Sequence, residues 1–404
     1  MRRLLTLVPA ALLSAALLTG SAQAGSTFPS SNTSNGGSIF NLDSTKLKNW
    51  RKALARVRAG TGRATLLIEG DSTTSGAGAG SSGTTDMVGA RAKSVVPDLA
   101  SILSKQYGLA VSDNSFIGDQ GCYYVSGVAL SAYDTRISYS SAFYLSSIGT
   151  LGGYLIGYGN AGAGTLSFTP AGAIDTIKIL SVKNTGAGGG SFTVNVDGGS
   201  SLGTVTTTGS GAVGADTFTV TKGTHTINMV ASNNGGFYFL GIIAFDSTTP
   251  AVDIIGVGNW GSVVSQHVGN IYGWDPLSVL KNNIVPDLDI INLTINDSNN
   301  NTGLAAYQTN MQTLITGVHA AGDVVLMAGA PSNTTQATNG TLDQYIGALA
   351  SLASSNAVPL LNLKQRWQSY AAMNPVFPYY DSVHPGVLGY QDIAQSMAEV
   401  IARP

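Results

Sequence analysis

Cysteine is almost absent from this 404-residue chain: Cys122 is the only one, so no intramolecular disulfide framework can form. Charge is also scarce. Charged residues make up 10% of the chain and the net charge is −2. No Lys/Arg-rich run follows the N-terminus, so nucleic-acid binding has no electrostatic basis. Beyond the first residues no apolar run reaches the roughly 20 positions that a membrane-spanning helix needs. Histidine is limited to His225, His267, His319 and His384. Gly, Ser, Thr and Asn are abundant instead, which implies a neutral, polar surface suited to an uncharged polymer such as a polysaccharide.

Met1-Arg2-Arg3, the apolar stretch Leu4 to Leu18 and Ser21-Ala22-Gln23-Ala24 have the basic start, apolar centre and small-residue cleavage site of a secretory signal. Residues 1–24 are therefore expected to be removed, leaving a secreted or periplasmic chain without a stable membrane span. Residues 25–60 read as a Ser/Asn/Gly-rich leader through Asn41, then a helix over Asp43–Arg58 capped by Asp43 or Ser44. A strand at Thr65–Glu69, a helix at Val96–Tyr107 and a strand at Val111–Ile117 follow. This order favours a parallel α/β sheet.

The texture changes between Tyr154 and Phe245. Short β-type runs at 174–182, 191–196, 203–207, 217–221, 225–230 and 237–245 alternate with Gly- and Asn-rich turns, the pattern of an antiparallel β-sandwich. Strands are then expected at Val252–Val257, Leu288–Leu293, Val324–Ala328 and Val358–Leu361. Helices fit Gly303–Ala320, Leu342–Ser354 and Gly389–Ala402. The expected division is an α/β domain in two parts, 61–150 and 249–404, interrupted by an all-β sandwich over 151–248.

Gly70-Asp71-Ser72 directly follows the first strand, where open parallel sheets present ligand sites. A turn with a capping serine would read the same. Of the four histidines only His384 has a carboxylate three residues before it, in Asp381-Ser382-Val383-His384-Pro385. His267 lacks a nearby acid in sequence, and His225 and His319 fall on the β-region and a helix. A serine hydroxyl, an imidazole to take its proton and an acid to hold that imidazole make a nucleophilic triad. Donors for a developing oxyanion are expected from the N–H groups of Ser72 and Gly118, with Gly121 competing, and from the Asn296 side chain, itself equally readable as a turn residue. Cys122 reads as a small core residue. Gly199-Ser200-Ser201-Leu202-Gly203 matches a nucleophile elbow but lies between two β-type runs, where a hairpin turn fits better.

These pieces resemble the four blocks of the SGNH (GDSL) hydrolase superfamily: Gly70-Asp71-Ser72, Gly118-Asp119, Ile295-Asn296-Asp297 and Asp381-x-x-His384-Pro385. The resemblance covers residues 62–150 and 251–404. It implies a three-layer α/β/α sandwich with a mainly parallel sheet and Ser72, Gly118, Asn296 and His384 as signature residues, with Asp381 completing the triad. Thr294 departs from the family's usual glycine, and Thr73 from its usual leucine. The implied activity is ester hydrolysis through an acyl-enzyme, without cofactor or metal. An inserted sandwich of the carbohydrate-binding-module kind suggests an acylated glycan as the partner, and an O-acetylesterase on polysaccharide or peptidoglycan. A lipase or broad carboxylesterase, an O-acyltransferase and a non-catalytic glycan-binding protein are the alternatives. Tyr154, Tyr158, Phe237, Tyr238 and Phe239 are expected in the sandwich core, with a sugar-stacking surface as the other reading.

Overall fold

The β-branched and leucine-rich runs on both sides of the Gly-rich segment assemble into one sheet. In the computed structural model, which describes residues 37–402 except 81–85, 123–127, 185–188 and 334–340, this sheet has seven strands. The expected signal peptide and the leader up to residue 36 lie outside the described residues. The strand order is Ile39–Phe40, Leu360–Asn362, Asp323–Ala328, Leu288–Asn292, Ala64–Gly70, Val252–Gly258, Val111–Ser112. All neighbours pair in parallel except Ile39–Phe40, which runs antiparallel to Leu360–Asn362. The Ile39–Phe40 strand falls inside the segment expected to be leader. Its two apolar side chains are buried, which is why it is drawn onto the sheet edge.

Alternate side chains of the strands enter two separate apolar clusters. Leu66, Ile68, Ile254, Ile290 and Val325 pack with the helices Lys48–Arg58, Val95–Tyr107 and Val387–Ile401. Leu67, Ile255, Ile291, Val324 and Leu326 pack with Leu304–His319 and Leu342–Ser355. The first helix begins at Lys48 rather than Asp43, because the Asp43 carboxylate accepts from the Thr45 N–H and hydroxyl instead of capping the helix. Trp50, 1% exposed, donates its Nε1–H to the Ile401 carbonyl at 2.8 Å and so ties this helix to the last one.

Val111–Ile117 is not one strand. Val111–Ser112 stays on the parallel sheet, whereas Phe116–Ile117 crosses to pair antiparallel with Phe237–Phe245. The residues from 137 to 245 form two antiparallel sheets of five strands each, and the Phe116–Ile117 strand joins the second as its sixth. Leu166, Phe168, Phe192, Val194 and Ile227 of one sheet share a core with Ile156, Ile177, Ile179, Phe237 and Phe239 of the other. Tyr158, Phe237 and Phe239 are core residues, at most 2% exposed. The Gly199–Gly203 string lies in the hairpin joining Ser191–Val196 to Gly203–Thr206. Cys122 is buried and free. No helix among the described residues is long and apolar enough to cross a membrane.

Replacing Trp50 by alanine empties a site shared by two helices and removes a buried hydrogen bond. The expected loss is about 3–5 kcal/mol, read as a lower urea midpoint.

Candidate active site

The strand Ala64–Gly70 is the switch point of the sheet. The chain leaves it first toward Val111–Ser112 and Val252–Gly258, and later toward Leu288–Asn292 on its other side, so a crevice opens at its carboxyl end. Ser72 occupies that end, as the first residue of the short helix Ser72–Ser75. Asp71 caps the helix: its Oδ1 accepts from the Thr73 N–H at 2.8 Å and from the Thr73 hydroxyl at 2.7 Å. Burial pushes the Asp71 carboxyl up, against these two bonds. Asn292, at the end of the next strand, donates Nδ2 to the hydroxyls of Thr73 and Thr74 at 2.8 and 3.1 Å. Thr73 is thus a buried fastening of the Ser72 turn. A Cβ on Gly70 would lie 2.1 Å from Thr74 Oγ1, so only glycine permits this turn.

Ser72 Oγ lies 2.9 Å from His384 Nε2, and His384 Nδ1 lies 2.7 Å from Asp381 Oδ2. The other Asp381 oxygen accepts from the Val383 and His384 N–H groups, each at 2.7 Å. Burial raises the Asp381 carboxyl, but the bonds to the His384 imidazole and to the two backbone N–H groups outweigh it and bring it down to about 2. Two contacts hold the loop to the Ser72 turn. A Cβ on Gly78 would come within 3.0 Å of His384 Cβ, which marks a close backbone approach. The buried Tyr390 hydroxyl donates to the Ala77 carbonyl at 2.6 Å. The indole of Trp260 flanks the imidazole, with ring centroids 4.9 Å apart.

The expectation for Gly118 is corrected. Its N–H is donated to the Leu240 carbonyl at 2.7 Å, inside the pairing of Phe116–Ile117 with the antiparallel sheet. It has no donor left for an oxyanion. Gly121 is excluded too, since its N–H goes to Asp119 Oδ1 at 2.9 Å. This turn supports the site from outside: a Cβ on Gly121 would meet Trp260 N at 2.4 Å, and Gln120 Oε1 accepts from the Gly258 N–H at 3.0 Å.

The strand beside Ala64–Gly70 is Val252–Gly258, so the loop after it, Asn259-Trp260-Gly261-Ser262, and not the turn at Gly118, follows the strand that adjoins the Ser72 turn. Asn259 N–H donates to the Gly70 carbonyl at 2.8 Å, the Ser262 carbonyl accepts from Asn296 Nδ2 at 3.0 Å, and Gly261 (φ +69°) has open space on its Cβ side. The signal was present in Gly258-Asn259-Trp260-Gly261 following an apolar run, but only the pairing shows which strand adjoins Ala64–Gly70. Asn296 uses one Nδ2 hydrogen on Ser262 and keeps a second. Thr294 has φ −151°, which any residue adopts, and its hydroxyl bonds to the Tyr307 hydroxyl at 3.2 Å, so glycine is unnecessary there.

His267 also differs from expectation: it has an acid, supplied from far along the chain. Its Nδ1 lies 2.7 Å from Glu69 Oε1 in the core. Burial pushes Glu69 up to about 8 and Asp289 beside it higher than the usual carboxylate range, and brings His267 down to about 4. His225 is paired with Asp197 at 2.6 Å on the β-region, and among the described residues no metal-holding cluster of His, Cys, Asp and Glu occurs.

Known proteins resemble this chain in part of its sequence and in its fold. Residues 231–391 match the GDSL-like Lipase/Acylhydrolase family. Among solved structures, a peptidoglycan O-acetylesterase superposes with a TM-score of 0.61 at 17% identity, over 90% of this chain and 99% of the other. That likeness shows a shared fold. A family 2 carbohydrate esterase with its carbohydrate-binding domain from Corynascus thermopiles (Myceliophthora fergusii) is 14% identical, over 66% of this chain and 98% of that one, with a TM-score of 0.29. No curated protein matches the chain.

The buried acids give stability a pH dependence. Glu69 keeps its proton up to about 8 when folded but loses it near 4.5 when unfolded, so the stability it contributes at low pH is lost as pH rises through 8. His267 acts oppositely and only between its ordinary 6.5 and about 4, its contribution being lost as pH falls through that range. The urea midpoint should therefore fall from pH 6.5 to 8, and Glu69→Gln should lessen that fall.

Proposed function

We propose that the chain is a secreted serine esterase of the GDSL-like lipase/acylhydrolase kind, which residues 231–391 match, and that it removes O-acetyl groups from a glycan. The observation that carries the mechanism is the continuous path from Ser72 Oγ to His384 to Asp381, with links of 2.9 and 2.7 Å. In this reading Ser72 Oγ attacks the ester carbonyl carbon while its proton passes to His384 Nε2. Asp381, held ionised, keeps the imidazole in one tautomer and stabilises the imidazolium. The oxyanion is held by the Ser72 N–H, an unsatisfied donor at the start of its helix, by the Gly261 N–H and by the second Asn296 hydrogen. The imidazolium protonates the departing alkoxide. The neutral imidazole then takes a proton from water, whose oxygen attacks the acyl-enzyme carbonyl, and returns that proton to Ser72 Oγ as the acid leaves.

The fold that goes with this reading is a three-layer α/β/α hydrolase interrupted by a β-sandwich. A cleft of about 370 Å³ at the junction of these parts supports the glycan assignment. Asn259 lines it on the catalytic side. Tyr272 and Trp274 supply aromatic surface and stack with centroids 5.0 Å apart, with the buried Tyr154 among the lining residues. Tyr272 is 56% exposed, so one ring face is free for a sugar. Neutral polar composition and the N-terminal export pattern agree with an extracellular glycan. The same triad would serve a lipase, and the preferred acyl chain length separates the two readings.

The deciding experiment compares p-nitrophenyl acetate with the octanoate. Acetate turnover that vanishes in Ser72→Ala is expected, whereas preference for octanoate would make the chain a lipase. Asn296→Ala should lower kcat by about 10²-fold, and an unchanged kcat would remove that amide from the oxyanion site. Tyr272→Ala should raise KM several-fold on an acetylated oligosaccharide while leaving p-nitrophenyl acetate kinetics intact. Equal kinetics on both substrates would take the cleft out of glycan binding.

A further inference from the structure

Behind the Asn259–Ser262 loop lies a second chain of polar groups that the reaction above does not use. Ser262 Oγ lies 2.9 Å from His267 Nε2, and His267 Nδ1 lies 2.7 Å from Glu69 Oε1. Serine, imidazole and carboxyl thus follow one another with the spacing of a catalytic triad. Yet Ser262 is 2% exposed, His267 3% and Glu69 0%, so no ester can reach this hydroxyl. It is not a second active site.

Its connections point elsewhere. Glu69 is fixed in the nucleophile strand, three positions before Ser72. Ser262 closes the loop that carries Gly261, and its carbonyl is the group that accepts the Asn296 amide. On the far side the Val264 N–H donates to Asp297 Oδ2 at 2.9 Å, one residue after Asn296. The titratable neighbours of the imidazole are Glu69, Asp71 and Asp297, and Asp289 faces Glu69 from the adjacent strand. Burying this many ionisable groups costs stability that an apolar core would not. Their geometry is what they supply.

We propose that Glu69, His267 and Ser262 are positioning residues that fix the Asn259–Ser262 loop to the nucleophile strand, and so hold the Gly261 N–H and the Asn296 amide at the oxyanion of the Ser72 reaction. The inference rests on the esterase reading above. A glycine in the left-handed region has no side chain to hold it, so the loop needs an anchor one residue away. Ser262 is that anchor. The imidazole links it to a strand buried on both faces, which has little freedom to move.

The test uses full-length protein, p-nitrophenyl acetate as substrate, phenylboronic acid as a tetrahedral probe of the oxyanion site, and a fluorophosphonate to count reactive Ser72. Wild type is measured first against Ser72→Ala; absence of Ser72-dependent turnover would sink the esterase reading itself, before any relay variant is made. Ser262→Ala and His267→Asn should then lower kcat per reactive serine by about 10-fold or more, leave KM within about 2-fold, and weaken boronate inhibition by a similar factor. Combining Ser262→Ala with Asn296→Ala should cost much less than the product of the two single losses, because both act on one interaction. A purely structural role would lower the count of reactive serines and leave kcat per site and boronate affinity unchanged. That outcome overturns the proposal, as does a kcat loss with unaltered boronate affinity. Should His267→Asn fail to fold, Ser262→Ala, which deletes a single oxygen, decides alone.

Discussion

The contact between Ser72 Oγ and His384 Nε2 joins residues 312 positions apart, and most of the architecture serves to keep it short. Neither end could hold it alone. The Ser72 turn is braced from below by Asp71, Thr73 and Asn292. The histidine loop is braced by its own aspartate, which uses one oxygen on two backbone N–H groups and the other on the ring. The Tyr390 hydroxyl then pins the terminal helix to the Ala77 carbonyl, and Trp50 pins the far end of the same helix. A helix fixed at both ends makes a distant histidine behave as though it were local.

The site is also built from both sides of the β-region. Ser72 precedes the antiparallel sheets in the chain, while Gly261, Asn296 and the Asp381–His384 pair follow them. Parallel pairing of Val252–Gly258 with Ala64–Gly70 sets Gly258 opposite Gly70 and closes this gap of nearly two hundred residues at the position where the chemistry is assembled. The β-region remains in contact with the site through Gln120, which accepts from Gly258, and through Thr150, whose hydroxyl donates to the Trp274 carbonyl at 2.7 Å.

What could be read from the sequence follows from how local each feature is. Asp381 and His384 sit three residues apart, so their pairing needs no knowledge of the fold. Ser72 follows a run of seven strand residues whose pattern is unambiguous. The sheet strands and the long helices were legible for the same reason. Gly118 misled because Val111–Ile117 has the composition of one strand, while its two ends pair with different sheets. Strand pairing is decided by tertiary contacts that composition does not record. Glu69 and His267 stand 198 positions apart, so a histidine that lacks an acid in sequence has one in space. Ile39–Phe40 escaped notice because two residues cannot show a period.

The indole of Trp260 gives the molecule an optical handle on its own chemistry. An imidazole changes charge within contact of an emitting ring, and an imidazolium is both attracted to an indole face and able to quench its light. Trp50 and Trp367 are sealed in the core and Trp274 stacks on Tyr272, so each contributes a background that proton transfer at His384 does not touch. Emission that changes whenever the ring beside it takes up a proton would make the protein its own indicator, with no dye attached.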